Sequence, residues 1–376
     1  DIEWGEYKLG DLFEIESTLS FNTDKLVSGT EYDYVTRTSL NQGILQTTGF
    51  VNEENINPSG TWSLGLLQMD FFYRKKPWYA GQFVRKITPK IAITDSSILF
   101  FSTLLNKQKP KLLSVLVRDV DKVFLSTKIQ LPTHSGKIDF DFMESFIAEL
   151  EAQRIAELSA YLKVSGFDNY ELSSEELNAL QRFDELGDDN WGTYSVGNLF
   201  EKVATKKLPY KAKELPKQPI DGYVLPCLTS SFQNQGLNYY APKAGATVIS
   251  NVISLPSNSD VYRAYYQSRD FTVLSDSYAI QWKLAENKPT PNQYLFMVMC
   301  INKVTDLPIY SYKNKLGGWN VVKHKDIRLP VNDGKIDFVF METFISAIKK
   351  LVIKDVVKYS NTKIAATKTV VSDNNF

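Results

Sequence analysis

The fold is decided by the stretch Ile129-Gln-Leu-Pro-Thr-His-Ser-Gly-Lys-Ile-Asp-Phe-Asp-Phe-Met-Glu-Ser-Phe-Ile-Ala148, which recurs as Ile327-Arg-Leu-Pro-Val-Asn-Asp-Gly-Lys-Ile-Asp-Phe-Val-Phe-Met-Glu-Thr-Phe-Ile-Ser346. Thirteen of the twenty positions are identical, at an offset of 198 residues. A solenoid repeat is only about 20–50 residues long, so each copy is expected to end a whole domain. The 376 residues leave room for two such domains and their connections.

A second repeated block shows that both halves also begin alike. Trp4-Gly-Glu-Tyr-Lys-Leu-Gly-Asp-Leu-Phe-Glu14 returns as Trp191-Gly-Thr-Tyr-Ser-Val-Gly-Asn-Leu-Phe-Glu201. The middles diverge apart from short echoes, which are Asn41-Gln-Gly-Ile44 with Asn234-Gln-Gly-Leu237, and Asn106-Lys107 with Asn302-Lys303. We therefore predict two related domains, 1–138 and 191–336, separated by 139–190 and followed by 337–376.

The repeated block opens a long helix in each half. Asp139 and Asp337 precede the apolar periodicity and are the predicted N-caps. Helical spacing then continues for about 23 residues, or roughly 35 Å. The apolar positions are Phe140, Met143, Ile147, Leu150, Leu158 and Tyr161 or Leu162 in the first helix, and Phe338, Met341, Ile345, Ile348, Val352, Val356 and Tyr359 in the second.

The polar faces of these helices differ in the sign of their charge. The first carries Asp141, Glu144, Glu149, Glu151 and Glu157, and the second carries Lys349, Lys350, Lys354 and Lys358. Opposite charges beside apolar stripes favour pairing of the helices as an antiparallel coiled coil with pseudo-twofold symmetry. The alternative is that each helix packs on its own domain and its charges are solvated.

The segments around the helices predict an α+β fold with two mixed α/β domains. Strands are expected at Lys90–Thr94, Ala246–Ser254 and Phe271–Leu274, and helices at Ile98–Asn106 and Tyr294–Asn302. In the acidic linker, Ser173-Ser-Glu-Glu176 has the pattern of a capping box for a short helix that runs to Phe183.

Charge is distributed unevenly although 43 basic and 43 acidic residues cancel over the chain. Residues 139–190 hold fourteen acids and three bases, a net charge of −11, so the rest of the chain carries +11. Two clusters are strongly basic. The first is Arg74, Lys75, Lys76, Arg85, Lys86 and Lys90 without an acid between them, and the second is Lys206, Lys207, Lys211, Lys213 and Lys217 with only Glu214.

Composition offers little support for an enzyme or a membrane protein. Two cysteines and two histidines do not suit a disulfide framework or metal-ligand spacing, and the sequence has no apolar run of membrane-spanning length and no signal-peptide pattern. A cytoplasmic location and no membrane partner are therefore expected. The sequence also lacks a Gly-x-Gly-x-x-Gly fingerprint, a P-loop and an Asn-Pro-Pro-aromatic tetrapeptide, so no cofactor is expected in this chain.

The divergent middles combine basic residues with aromatic and amide side chains, a composition that suits double-stranded DNA. Lysine and arginine neutralise phosphates, whereas Arg, Gln and Asn also contact base edges in the major groove. For one such cluster a solvated surface would be the simpler interpretation, but two comparable clusters favour nucleic acid. The candidate DNA-binding residues are Arg37, Ser39, Asn41, Gln42, Arg74, Lys75, Lys76, Tyr79, Gln82, Lys206, Lys207, Lys211, Lys213, Ser230, Gln233, Asn234, Arg263, Gln267 and Arg269.

The alternation of divergent domain and repeated helix resembles the DNA-specificity (S) subunit of Type I restriction-modification systems. The motifs Trp-Gly-x-Tyr-x-x-Gly-x-Leu-Phe, Tyr266-Gln-Ser-Arg-Asp-Phe-Thr-Val-Leu274 and Gly-Lys-Ile-Asp-Phe-x-Phe-Met-Glu-x-Phe-Ile resemble in particular its BcgI-like, Type IIB branch. The likeness covers nearly the whole chain, although the helices are shorter than in many Type I members.

The resemblance implies two target-recognition domains with variable parts at 15–128 and 202–326, and spacer helices that dock DNA methyltransferase or fused methyltransferase-nuclease subunits. It also implies that this chain is not catalytic and that S-adenosylmethionine and Mg²⁺ are bound by those partners. A 35 Å spacer would separate two different half-sites by about 10 base pairs. A two-domain protein-binding scaffold without DNA recognition is the alternative, and a catalytic nuclease or methyltransferase would need a cofactor motif.

Overall fold

The computed structural model describes the backbone of residues 2–373 and the side chains of residues 2–366. It divides into two compact units, Asp1–Leu158 with Lys363–Phe376, and Ser159–Thr362. The unit boundaries thus fall inside the two long helices, whereas the predicted boundaries lay at the starts of these helices and at residue 191. Residues 1 and 374–376 of the predicted segments lie outside the described residues.

The first unit consists of short strands and helices that precede its long helix. Its strands are β1 (Glu3–Lys8), β2 (Phe13–Ser17), β3 (Tyr32–Val35), β4 (Ile44–Thr48), β5 (Thr61–Gly65), β6 (Asp70–Arg74), β7 (Trp78–Ala80), β8 (Val84–Pro89), β9 (Lys128–His134) and β10 (Lys137–Ile138). Its helices are α1 (Leu9–Leu12), α2 (Ile98–Asn106), α3 (Lys109–Leu113), α4 (Val120–Ser126) and most of α5 (Phe140–Val164).

The second unit follows the same plan. After the linker helix α6 (Ser174–Glu185), its strands are β11 (Trp191–Ser195), β12 (Phe200–Lys202), β13 (Leu225–Leu228), β14 (Leu237–Ala241), β15 (Val252–Pro256), β16 (Tyr265–Gln267), β17 (Thr272–Val273), β18 (Ser277–Trp282), β19 (Asp326–Asn332) and β20 (Lys335–Ile336). Its further helices are α7 (Val196–Leu199), α8 (Pro291–Thr305), α9 (Trp319–Val322) and most of α10 (Phe338–Asp373).

Sheet topology shows that the divergent middles share one fold. The strand orders β1-β9-β10, β2-β8-β5-β6 and β4-β3-β7 of the first unit are matched by β11-β19-β20, β12-β18-β15-β16 and β14-β13-β17 of the second. Even the parallel pairs β3–β7 and β13–β17 correspond. The predicted α+β class with two mixed domains is confirmed.

The two repeated sequence blocks meet as an antiparallel strand pair that closes each domain. Trp4 lies opposite Pro132 in the β1–β9 pair, and Trp191 lies opposite Pro330 in the β11–β19 pair. The first and last strands of each domain are thus neighbours, so the divergent middle of the domain begins and ends at the same strand pair.

The predicted N-caps of both long helices are confirmed. Asp139 accepts a hydrogen bond from the Phe142 amide at 2.9 Å, and Asp337 accepts one from the Phe340 amide at the same distance. Each aspartate amide in turn donates to the carbonyl of Pro132 or Pro330 on the closing strand. The cap therefore ties the helix start to the strand pair.

An asparagine on α2 and α8 fixes this helix to the edge strand of the four-stranded sheet. The Asn106 side chain bonds both the amide and the carbonyl of Phe71, and Asn302 does the same to Ala264. The short Asn-Lys echo in the sequence thus marks one contact, made twice. The helices predicted at Ile98–Asn106 and Tyr294–Asn302 are confirmed, with α8 slightly longer than expected.

Two strand predictions need correction. Lys90–Thr94 is irregular, because the preceding strand ends at Pro89. Ile91 and Ile93 pack on the core without joining a sheet. The stretch Ala246–Ser254 forms a strand only from Val252, because Asn251 has a positive φ of 56° that interrupts extended backbone. The strand at Phe271–Leu274 is present as Thr272–Val273.

The second long helix exceeds its predicted length. The first helix has 25 residues and the second has 36, because no proline or glycine follows Phe338 before its end. Its predicted apolar stripe is wrong beyond Ile348, since Val352 is 75 % exposed. Among the described residues, no helix combines the length and the apolar content that a membrane crossing requires.

Two lysines of the second helix have partners on their own domain. Lys349 donates to the Asn292 side chain on α8 at 2.5 Å, and Lys350 forms an ion pair with Glu176 on α6 at 2.8 Å. Both ammonium groups therefore have partners within the second unit, and pairing of the two long helices as a coiled coil stays a prediction. The other helix contacts of α6 include stacking of Phe183 on Phe344, with ring centres 4.4 Å apart.

Glu176 connects the linker helix to the second long helix. It closes the predicted capping box with Ser173, and it also accepts hydrogen bonds from Ser346 and Lys350. Its burial opposes ionisation, but the bonds from Lys350, Ser346 and the Ser173 amide outweigh burial and hold the pKa of Glu176 below its usual range.

We predict that Glu176→Gln destabilises the protein at neutral pH but not in acid. The folded state favours the carboxylate, so its contribution is complete above pH 4.5 and is lost as the pH falls below this value. Urea unfolding should show a deficit of about 1–3 kcal/mol at pH 7, because Lys350 loses a charged partner. The exposed Glu185→Gln serves as the control, and an equal deficit at pH 7 and pH 3 would contradict this role.

Candidate nucleic-acid interface

The first unit has a polar cleft of about 520 Å³ beside the end of strand β3. Residues from four loops and from β3 converge on it. Its lining residues are Asn22, Thr23, Tyr34, Thr36, Arg37, Thr38, Leu67, Gln68, Gly81 and Gln82. Hydroxyl, amide and guanidinium groups of this kind donate and accept hydrogen bonds with base edges and phosphates.

The second unit has a polar cleft of about 700 Å³ beside the end of strand β13. Its lining residues are Ala212, Lys217, Gln218, Thr229, Ser230, Ser231, Gln233, Asn234, Leu237, Asn238, Tyr239 and Tyr240. Both clefts include the segment that follows this strand, which is 36–38 in the first unit and 229–231 in the second. The first cleft extends to the loops after β5 and β7, whereas the second extends along β14. Two clefts with different linings would recognise different sequences.

A tight loop of the same shape borders each cleft. Leu40–Gly43 follows β3 and Gln233–Gly236 follows β13, and both lead directly into the next strand. Both loops are rich in exposed amide side chains. The Asn-Gln-Gly echo in the sequence corresponds to these loops.

Several predicted residues of the first unit gather at its cleft. Arg37 and Gln82 line it, and Ser39, Asn41 and Gln42 belong to the loop beside it. The Arg37 guanidinium lies 5.1 Å from the centre of the Phe83 ring, a cation–π contact that orients an exposed arginine. The Ser39 hydroxyl donates to Asp70.

The prediction that Arg74 and Tyr79 contact DNA is wrong because both side chains are buried. Arg74 is 2 % exposed and donates to the Ser63 hydroxyl and the Gln42 carbonyl. Burial lowers the pKa of Arg74 to about 10, and the Asp33 carboxylate limits that decrease, so the guanidinium is charged at neutral pH. The Tyr79 hydroxyl is bound by the backbone of Val51 and Asn52.

The two lysines that follow Arg74 lie at other places in the unit. Lys75 lines a separate cleft of about 460 Å³ with Tyr73, Asp95, Ile98, Leu99 and Glu151. Lys76 forms an ion pair with Asp33 at 3.0 Å and donates to the Thr30 carbonyl. Arg74, Lys75 and Lys76 are therefore all absent from the lining of the cleft beside β3.

In the second unit, Ser230, Gln233 and Asn234 line the cleft as predicted residues. Gln267 does not act as a DNA contact, because it is 4 % exposed and donates to the Gln235 carbonyl and the Ser254 hydroxyl. The prediction that Gln267 binds DNA is therefore wrong.

The remaining basic residues predicted in the second unit are exposed, namely Lys206, Lys207, Lys211, Lys213, Arg263 and Arg269. Arg263 forms an ion pair with Asp306 at 2.6 Å, and this partner raises the pKa of Arg263 above its usual range. Lys206, Lys207, Lys211 and Lys213 are absent from the cleft lining, but their neighbour Lys217 is part of it.

Some cleft and loop residues were missed by the sequence analysis. They include Asn22, Gln68, Gln218, Asn238 and, in the second loop, Gln235. Gln235 could have been found from the sequence, because it aligns with the candidate DNA-binding residue Gln42 when Asn41-Gln-Gly is aligned with Asn234-Gln-Gly. The others come from loops without a repeated pattern, so no signal in one sequence would have identified them.

The cysteines have the character of core residues. Burial raises the pKa of the Cys227 thiol to about 12, and burial raises that of Cys300 to about 12 against an opposing effect of Lys303. Both thiols are therefore protonated at neutral pH. Within residues 2–373, no group of three or more His, Cys, Asp or Glu side chains is placed to hold a metal ion.

Comparison with known families finds a match over the first part of the chain. Residues 1–160 match the family described as the Type I restriction modification DNA specificity domain. These residues include nearly all of the first unit that precedes and begins its long helix, so this part of the chain is similar to that domain family. The second unit repeats the sheets and both sequence blocks of the first.

Among the solved structures to which the chain is similar, one shares its fold. The Type I restriction-modification system S subunit from M. genitalium aligns with a TM-score of 0.55 at 12% identity, over 100% of this chain and 95% of that one. The HsdS subunit from Thermoanaerobacter tengcongensis gives 0.28 at 12% identity, over 98% and 91%. A chain from a study of complex assembly and conformational transition of the type I R-M system gives 0.37 at 11% identity, over 98% and 95%. No curated protein matches the chain.

We predict that Arg37→Ala weakens specific DNA binding and relaxes one half of the recognised site. An arginine that contacts a base bidentately contributes about 1–3 kcal/mol of discrimination. The measurement is competition binding with site variants, and Arg118→Ala, an exposed arginine outside the cleft, is the control. Uniform weakening on all sequences with a salt slope reduced by about 1 would contradict a base contact.

Proposed function

We propose that this chain is the specificity subunit of a methyltransferase or restriction complex and that it recognises a bipartite, asymmetric DNA site in the major groove. The carrying observation is that two domains of one fold each present a polar cleft that includes the segment after β3 or β13, with different side chains in each. A common fold suits a common mode of docking on the duplex. Different linings suit two different half-sites, each a few base pairs long.

The long helices are proposed to set the distance between the half-sites by pairing as an antiparallel coiled coil. Support comes from the acidic face of α5 and the basic residues of α10, and from Lys363, whose ammonium lies 3.9 Å from a Glu151 carboxylate oxygen. The 25 residues of α5 correspond to about 37 Å, close to one turn of B-DNA. We therefore expect half-site centres about 10 base pairs apart.

The same helices are proposed to dock the catalytic subunits. Both carry exposed apolar side chains, with Val164 on α5 at 89 % and Val352 on α10 at 75 % exposure. Exposed apolar residues on a helix are candidates for a partner interface. In this proposal the partner, a DNA methyltransferase or a fused methyltransferase-nuclease, binds S-adenosylmethionine and Mg²⁺, and this chain is not catalytic.

The Type IIB, BcgI-like assignment and a cytoplasmic location belong to the same proposal. The support for the branch is the motif resemblance at Tyr266–Leu274 and in the repeated helix block. A cytoplasmic location suits a protein that acts on bacterial DNA together with its enzyme.

We predict that the complex selects a two-part site from random DNA. The chain is co-expressed with a methyltransferase-type subunit, and the complex is incubated with a pool of random duplexes whose bound fraction is sequenced. Two unlike half-sites with centres about 10 base pairs apart are expected. A single contiguous core, or half-sites two helical turns apart, would contradict the spacing by the helices.

We predict that Val352→Asp abolishes co-purification of the methyltransferase subunit without lowering the Tm of this chain. A carboxylate at an interface core is costly to desolvate, whereas at an exposed position it has little effect on folding. Val339→Asp is the matched control, because Val339 is 77 % exposed on the same helix, about 140° away around its axis. Retention of the partner by Val352→Asp would remove this face from the proposed interface.

A further inference from the structure

The two loops beside the clefts have the same unusual backbone. Asn41 and Gln42 have φ/ψ of 46°/44° and 54°/33°, and Asn234 and Gln235 have 46°/40° and 53°/25°. In each loop a glycine follows with a positive φ, 78° at Gly43 and 86° at Gly236. Three consecutive residues thus lie in the left-handed region, which disfavours residues with side chains.

Close packing explains the glycine at the end of each loop. A Cβ on Gly43 would lie 3.2 Å from the Thr36 carbonyl oxygen, and one on Gly236 would lie 2.7 Å from the Leu228 side chain. The loop is therefore held against the preceding strand. Backbone bonds from Thr36 to Gly43 and from Thr229 to Gly236 close it at 2.8 and 2.9 Å.

A buried polar side chain holds the loop from below in each unit. Arg74 on β6 donates to the Gln42 carbonyl and to the Ser63 hydroxyl, which is 2.9 Å from its Nε. Thr61 on β5 lies opposite Arg74.

Gln267 on β16 makes the same connection in the second unit. It donates to the Gln235 carbonyl at 3.1 Å and to the Ser254 hydroxyl at 3.0 Å. Val252 on β15 lies opposite Gln267, and the serine stands two residues after Val252 just as Ser63 follows Thr61. The two anchors therefore occupy equivalent positions and bind equivalent carbonyls, with different residue types.

This anchoring separates the roles of the two amides in each loop. The Asn41 and Asn234 side chains donate to the carbonyls of Ile44 and Leu237 at 3.1 and 2.5 Å, so they are used within the loop. The Gln42 and Gln235 side chains are exposed, and none of the hydrogen bonds found among the described residues involves their amide groups. At one equivalent position of each loop, a fixed backbone therefore presents an exposed glutamine, Gln42 or Gln235; the second loop also exposes Gln233.

We propose that Gln42 and Gln235 are equivalent base-reading residues, each contacting an adenine in the major groove, and that Arg74 and Gln267 are the positioning residues that hold their loops. The proposal rests on the proposed function and specifies the contact made in each half-site. A glutamine amide pairs bidentately with the N6 and N7 atoms of adenine. Because the loop is held before DNA arrives, the conformational cost of ordering it is not incurred on binding.

The test is sequencing of the DNA selected from a random duplex pool by the complex of the full chain with its methyltransferase subunit. The wild-type complex is expected to enrich an A·T pair in each half-site. Gln42→Ala should lower the preference for one of these pairs about 5- to 150-fold, and Gln235→Ala should do so in the other half-site. Gln130→Ala, an exposed glutamine on β9, is the matched control.

The positioning role is tested by whether the anchor acts through the glutamine. Arg74→Ala should relax the preference for the same base pair as Gln42→Ala, and Gln267→Ala for the same base pair as Gln235→Ala. When Arg74→Ala is combined with Gln42→Ala, the preference for that base pair should fall no further than with Gln42→Ala alone. Arg74→Gln should restore the preference, since glutamine serves at the equivalent position 267. If Arg74→Ala does not fold, Gln267→Ala and Arg74→Gln carry this part of the test.

The outcomes separate this inference from the proposed function. A wild-type complex that enriches no two-part site contradicts the proposed function. A two-part site whose preferences survive Gln42→Ala and Gln235→Ala overturns the base contact alone. Relaxation by Gln267→Ala that spreads over both half-sites, or that falls on other base pairs, would show that the anchors only stabilise the domain.

Discussion

The rest of the structure depends on one strand pair in each domain, β1 with β9 and β11 with β19. It brings the start and the end of the domain together. The backbone amide of the N-cap residue, Asp139 or Asp337, donates a hydrogen bond to the carbonyl of Pro132 or Pro330 on the closing strand, and this bond fixes the start of the long helix. The two repeated sequence blocks form this strand pair. Whatever the middle of the domain contains, the helix therefore starts at the same place relative to the closing strands.

Within that frame the middles keep their fold by equivalent contacts that use different residues. Arg74 and Gln267 hold the same loop carbonyl, one with a charged and one with a neutral side chain, and the serine beneath them is retained. Asn106 and Asn302 fix the same helix to the same edge strand. The surfaces beside these contacts are freer to differ, which is the division expected of a protein that changes its target without changing its fold.

The second long helix has a packing role that its sequence pattern conceals. Its first turns bury Met341, Phe344 and Ile345 against the domain and the linker helix, and Lys350 is occupied by Glu176. Farther along the helix, Val352, Val356 and Tyr359 are exposed, whereas Val357 stays buried. One face of this continuous helix thus packs on the core while another carries exposed apolar side chains, a division that a single heptad pattern does not reveal.

The sequence by itself determined the duplication, the domain order, both helix starts, the helices at Ile98 and Tyr294 and the α+β class, because these follow from identity between halves, capping residues and local periodicity. Only the tertiary structure decided which polar residues are available to DNA. Arg74, Tyr79 and Gln267 have the composition of DNA contacts, yet burial commits them to Gln42, Asn52 and Gln235. Burial and hydrogen-bond partners arise from strands distant in sequence, so no local pattern could distinguish a polar side chain that is exposed from one that is buried beneath a loop.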